Sequence, residues 1–84
     1  MAKKRLLKLT WVDRDGEPYH TDAVSPTVAR DLLARAGVVW FRMDRLDFPV
    51  INLSWAAVSR STRAVCAKRQ TESGETEEIV IEAV

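Results

Sequence analysis

Few residues of this chain could take part in covalent chemistry, and they stand far apart. There is one histidine, His20, and one cysteine, Cys66. A thiol–imidazole pair needs a base oriented by a third group, and nothing in the placing of these two residues supplies one. Cys66 reads instead as a small apolar residue within the strand-like run Val65-Cys66-Ala67. His20 could join a metal site only with carboxylates such as Asp13, Asp15 or Asp22. The stretch Asp13-Arg14-Asp15-Gly16-Glu17 lacks the ligand spacing of a calcium loop and reads as an exposed turn. Gly16, Gly37 and Gly74 stand isolated, so there is no glycine-rich phosphate loop. A lone cysteine excludes an intramolecular disulfide framework and a multi-cysteine zinc site, and fits a reducing compartment. The expectation is a non-enzymatic protein with no metal and no cofactor.

What remains is the chemistry of recognition. Trp40, Arg42, Arg45, Leu46 and Phe48 gather on one strand and the loop after it. Trp and Arg dominate interface energetics and Phe is enriched at interfaces, so these five residues are the expected partner-binding surface. A second class is nucleic-acid binding. Lys3, Lys4, Arg5 and Lys8 make a basic start, and Arg60, Arg63, Lys68 and Arg69 a basic run, either of which could contact phosphates beside stacking aromatics. Against that reading stand the net charge of +1 and the closing acids Glu72, Glu75, Glu77, Glu78 and Glu82. Those acids suggest a third use, in which the acidic C-terminal strand of Glu75, Glu77, Glu78 and Glu82 imitates phosphates.

The elements that must position these residues centre on Val38–Trp55. Its aromatic and β-branched composition predicts two strands, Val38–Met43 and Val50–Trp55, joined by residues 44–49 and forming the middle of the sheet. Alternation puts Val39, Phe41 and Met43 on one face of the first strand, and Ile51, Leu53 and Trp55 on one face of the second. The opposite face, with Val38, Trp40 and Arg42, is too mixed for core and too apolar for plain surface.

Before this stretch, Leu6–Val12 reads as a half-buried strand, Asp13–Pro18 as a turn, and Tyr19–Val24 as a weak edge strand. Ser25-Pro26 is a strong helix start, and Gly37 supplies a left-handed stop. Between them Val28, Ala29, Leu32, Leu33 and Ala36 share one helical face, and the helix is too short to stand alone in water. A following strand beginning Val38-Val39-Trp40 breaks any helix-turn-helix pattern. Ala56–Arg69 can be read as helix or strand. The strand reading pairs Ala64–Gln70 with Thr76–Ala83 across Thr71–Glu75, leaves Ser59–Thr62 as a turn, and sets Lys68-Arg69 opposite Glu77-Glu78.

A chain of 84 residues has room for one domain, residues 1–84, burying roughly 60–65% of its unfolded surface. Hydrophobic content of 46% with 30% charged residues is that of an ordinary folded domain. Leu6-Leu7 is broken at once by Lys8, so no signal peptide is read, and no apolar run nears the roughly 18 residues of a membrane span. A cytoplasmic location without membrane contact is expected. The predicted fold class is α+β, a mainly antiparallel sheet of about five strands with one α-helix packed on it. Its expected core is Leu7, Leu9, Trp11, Val28, Leu32, Leu33, Val39, Phe41, Ile51, Leu53, Val65, Ile79 and Ile81.

No stretch matches a family motif. In genre, a small domain with segregated charge and no catalytic set resembles prokaryotic and phage accessory proteins, anti-CRISPR and other phage-encoded inhibitors among them. That resemblance implies action by occupying a surface of a larger complex. The expected function is a protein-binding module, monomer or homodimer, whose partner is a larger complex or a second copy. The alternative is a nucleic-acid-binding accessory protein.

Overall fold

In a computed structural model, residues 5–84 are described, so Lys3 and Lys4 of the basic start lie outside the described residues. Leu7–Val12 (β1) and Pro18–Val24 (β2) form a first hairpin, followed by the helix Pro26–Arg35 (α1). Trp40–Met43 (β3) and Leu46–Pro49 (β4) form a second hairpin. A 3-10 turn at Val50–Asn52 leads into a short helix, Trp55–Arg60 (α2). Val65–Gln70 (β5) and Thr76–Ala83 (β6) make a third hairpin. The six strands form one antiparallel sheet in the order β2-β1-β6-β5-β3-β4, so the fold is α+β.

Local chemistry accounts for the punctuation. In the first hairpin Asp13 N–H donates to the Glu17 carbonyl (3.0 Å) and Gly16 N–H to the Asp13 carbonyl (3.0 Å). The third hairpin repeats this, with Thr71 N–H on Glu75 (2.8 Å) and Gly74 N–H on Thr71 (2.9 Å). Both are type I turns completed by a left-handed glycine, Gly16 at φ 82° and Gly74 at φ 84°. The two loops lie at the same end of the sheet, joined by Arg14 and Glu75 at 2.8 Å. Ser25 Oγ caps α1 by accepting from Val28 N–H (3.3 Å). At its other end Val38 N–H reaches the Leu33 carbonyl (2.9 Å) and Gly37 N–H the Ala34 carbonyl (3.0 Å), a Schellman closure.

The core lies between one face of the sheet and the helices. Leu7, Leu9 and Trp11 of β1, Ile79 and Ile81 of β6, Val65 and Ala67 of β5 and Phe41 of β3 are buried. Ala29 and Leu33 of α1, Val58 of α2, and Val38, Val50 and Leu53 from the connections close over them.

Three expectations need correction. Val50–Trp55 is not a strand. Asp44 and Arg45 alone make the turn after β3, so the return strand starts at Leu46 and stops at Pro49, and after one last bond from Val50 N–H to the Val39 carbonyl (2.9 Å) the chain turns into the 3-10 segment. Beyond it Ser54 Oγ accepts from Ala57 N–H (3.2 Å) and opens α2, so Ala56–Arg69, readable as helix or strand, is helix as far as Arg60 and strand from Val65, and the expected turn at Ser59–Thr62 begins only after Arg60. The β3–β4 hairpin therefore forms a margin of the sheet, not its centre, and the strands number six, not about five. Val28, Val39 and Ile51, expected in the core, are 44%, 63% and 80% exposed, and Leu32 is half-buried. The third hairpin has the expected register, with Lys68 opposite Glu78 and Arg69 opposite Glu77.

Leu33 and Ile51 are similar in size and opposite in burial, so truncation separates them. Leu33→Ala should cost about 2–5 kcal/mol in urea unfolding. Ile51→Ala should stay within about 0.5 kcal/mol of the parent.

Candidate interaction surface

Both helices pack on the same side of the sheet, so the other side faces solvent. On that side most charges meet an opposite charge across a strand boundary. Lys8 opposes Glu82, Lys68 opposes Glu78, and Arg42 opposes Asp47 with Nε to Oδ1 at 3.4 Å. Such a face is stable in water. Trp40 is the exception: it opposes Pro49 and remains 57% exposed.

Two surface grooves of about 510 Å³ each lie around the connection from α1 to β3. One is lined by Trp40, Arg42, Asp47, Cys66 and Lys68. The other runs between the end of α1 and the 3-10 turn, lined by Ala34, Pro49, Val50 and Ile51 with Arg30 and Asp31. Gly37 and Val39 line both. Val39, Trp40 and Ile51 thus mark one apolar surface that turns the corner of the sheet.

The five residues expected to bind a partner do not share one patch. Trp40 and Arg42 project from the open face, and Arg45 and Leu46 are exposed at the hairpin tip. Phe48 turns the other way and stacks on Phe41, with ring centroids 5.7 Å apart and planes at 27°. It closes the margin of the core, as alternation along β4 requires once that strand begins at Leu46. Val39 and Ile51 belong to the surface instead. The signal that could have found Ile51 is the pair Pro49 and Ser54, which leaves too little chain between them for a strand.

Arg45 carries a second signal. Asp44 and Arg45 have φ of 52° and 72°, a turn that suits Asn-Gly or Asp-Gly. A side chain at the second position costs roughly 1 kcal/mol relative to glycine. Asp44 has local compensation, since its Oδ1 accepts from Ser61 Oγ (3.1 Å) and Thr62 Oγ1 (3.5 Å). None of the described contacts explains an arginine at position 45.

The charged alternatives are dispersed. Arg60 and Arg63 lie at the end of α2 and in the loop after it, and Arg60 Nε donates to the Ala56 carbonyl (3.1 Å). Arg69 lies 3.7 Å from Glu77, which accepts from the Tyr19 hydroxyl at 2.8 Å. Glu75 holds Arg14, and Glu78 faces Lys68. Neither a continuous basic run nor a free acidic strand results.

His20 Nε2 lies 2.8 Å from Asp22 Oδ2, and the ring meets Trp11 edge-on at 5.1 Å. Among the described residues no three His, Cys, Asp or Glu side chains form a metal-holding group. Cys66 is half-buried on the open face, where burial, then Glu78, pushes its thiol above the ordinary range. None of the described helices is long and apolar enough to cross a membrane. Compared with protein-family models, curated proteins and solved structures, the chain matches none.

Two outcomes are expected. Arg45→Gly should raise stability by about 1 kcal/mol in denaturant unfolding, by relieving the turn. A raised thiol pKa leaves less thiolate at a given pH, so iodoacetamide should alkylate folded Cys66 more slowly than the unfolded chain at pH 8. Glu78→Gln should speed the folded-state reaction.

Proposed function

We propose that this protein is a non-enzymatic binding module, an inhibitor or adaptor that occupies a surface of a larger protein complex. The observation that carries this reading is the exposed apolar corner of Val39, Trp40 and Ile51, at 63%, 57% and 80%. On a margin of the sheet away from the helices' cover, these side chains add nothing to the core. Contact with a partner would remove them from water, and a centrally placed Trp is the residue type whose loss costs most at an interface. Arg42 and Arg45 flank the apolar corner and the hairpin tip, where guanidinium groups can bond partner carbonyls or carboxylates. The strained backbone at Arg45 fits the same reading, since such strain persists where the side chain serves a function.

Nucleic-acid binding fits less well. Lys68 and Arg69 of the basic run face Glu78 and Glu77, which leaves few cations for phosphates on that strand pair. Phosphate mimicry by Glu75, Glu77 and Glu78 meets the matching objection, because Arg14, Arg69 and Lys68 already face those acids.

The test is affinity capture from the native host with wild-type protein as bait. Trp40→Ala should weaken retention of the captured partner by at least about 2 kcal/mol, and Ile51→Ser and Arg45→Ala by lesser amounts, with thermal melting little changed. Retention on heparin that falls steeply with salt, indifferent to Trp40→Ala, would instead place the protein among nucleic-acid binders.

A further inference from the structure

We propose that β2 is a self-complementary edge, through which two copies of this chain join into one continuous sheet with His20 of each copy facing Asp22 of the other.

Which backbone groups are free follows from the ladder. Val84 N–H donates to the Leu6 carbonyl (2.9 Å), so the bonded pairs that follow between β1 and β6 are Lys8/Glu82, Thr10/Val80 and Val12/Glu78. Leu7, Leu9 and Trp11 then direct their backbone groups to Val24, Asp22 and His20 of β2. The N–H and C=O groups of Thr21 and Ala23 consequently point away from the sheet, along an edge that none of the described strands covers. An open row of this kind is a template for another strand unless it is blunted.

The two edges of the sheet differ in that respect. Val50 N–H donates to the Val39 carbonyl, so β4 turns Asp47 and Pro49 outward, and Pro49 has no N–H to offer. β4 is therefore blunted. In β2 the proline is Pro18, at the start, and the register shift lies beside it, between Trp11 and Val12. From His20 to Val24 the pairing is regular, and the side chains flanking the ladder on the open face are the small Thr21 and Ala23.

Side-chain chemistry selects the occupant and the register. Two copies can pair antiparallel about a two-fold axis at Thr21, which bonds Thr21 to its own counterpart. His20 then sits directly opposite the partner's Asp22, and Asp22 opposite the partner's His20, at the separation of a cross-strand pair. A register one step along, centred on Asp22, would bring that carboxylate against its own copy and is disfavoured. His20 and Asp22 are 53% and 41% exposed and already bond each other at 2.8 Å, so the joint gathers two imidazoles and two carboxylates with donors matched to acceptors. The axis is perpendicular to the sheet, so both helix layers fall on one side and both open faces on the other. Each copy keeps its Trp40 surface at the far margin, and the pair is bivalent. A ladder this short buries less than about 1,200 Å², the range of weak and transient association.

Sedimentation velocity from micromolar to millimolar protein tests this, with circular dichroism to establish that each variant is folded. The wild-type protein should show a reversible monomer–dimer equilibrium. His20→Asp should weaken it by at least about tenfold, since two carboxylates then face each other across the joint, and Asp22→Arg should weaken it as well, by setting a donor-only guanidinium against the imidazole in place of the acceptor. An equimolar mixture of the two variants should recover association, because the new acid of one faces the new base of the other. Thr21→Pro, which removes an outward N–H and spares the bonds to β1, should abolish the dimer, whereas Trp40→Ala should leave it intact. A wild-type protein that stays monomeric throughout overturns the proposal. So does a dimer indifferent to the single charge variants, a mixture that fails to recover association, or a dimer that Trp40→Ala abolishes.

Discussion

The register of β1 against β6, and of β6 against β5, is the constraint on which the rest depends. It aligns Leu9 with Ile81 and Val65, and Trp11 with Ile79 and Ala67, so that two rows of apolar side chains cross the middle of the sheet on one face. The same register places Lys8 by Glu82 and Lys68 by Glu78 on the other face. Magnitudes decide which set governs. Each fully buried Leu or Ile contributes about 1.5–3 kcal/mol, and an exposed ion pair about 0–1 kcal/mol. Slipping one strand by a residue would turn Lys8 or Glu82 into the core and Leu9 or Ile81 into water. The core fixes the register, and the charges are compatible with it.

That arrangement leaves a helix layer too small for the sheet. The ten residues of α1 span about 15 Å and the six of α2 about 9 Å, against strands of about 20–27 Å in β1, β2, β5 and β6, about 13 Å in β3 and β4, and a sheet about 24 Å wide. The helices close over the central strands, and the shortfall falls at the two margins. At one margin it exposes β2. At the other it exposes Val39 and Ile51 beside the α1–β3 connection, next to Trp40 on the uncovered face. The surfaces available for association are therefore a consequence of how little helix the chain contains.

The parts of this fold that were legible in the sequence are those fixed locally. Ser25-Pro26 and Gly37 bound α1 because capping chemistry involves only neighbours. The β5–β6 hairpin was legible because two charge blocks and one Gly turn agree on a single register. Val50–Trp55 misled because its β-branched and aromatic composition outweighed two small signals, a proline at position 49, which suits only an edge strand, and the cap at Ser54. The position of β3–β4 at a margin could not be read at all. Strand order is set by the pairing of β1 with β6, the most distant in sequence, and no local pattern reports it. For the same reason the residues of the proposed surface were half legible. Trp40 and Arg42 follow from alternation, whereas the exposure of Val39 and Ile51 depends on what the helices fail to reach.

A small domain makes that exposure informative. Stability of roughly 0.05–0.15 kcal/mol per residue leaves a chain of this size with only several kcal/mol in total. A positive φ at Arg45 takes a sizeable share of that margin, and glycine would avoid it. Exposing Val39 and Ile51 also forgoes burial that a larger helix layer could have provided, and Trp40 lies on the face that neither helix covers. Both features raise the energy of the free protein at the same margin, and contact there, as proposed, would compensate both. Elsewhere on the open face Lys8, Glu82, Glu78, Lys68, Arg42 and Asp47 are matched in sign and settled in water. The contrast between a balanced middle and an unbalanced corner, on one face of one sheet, is the ground for proposing that the corner, and not the rest of that face, meets a partner.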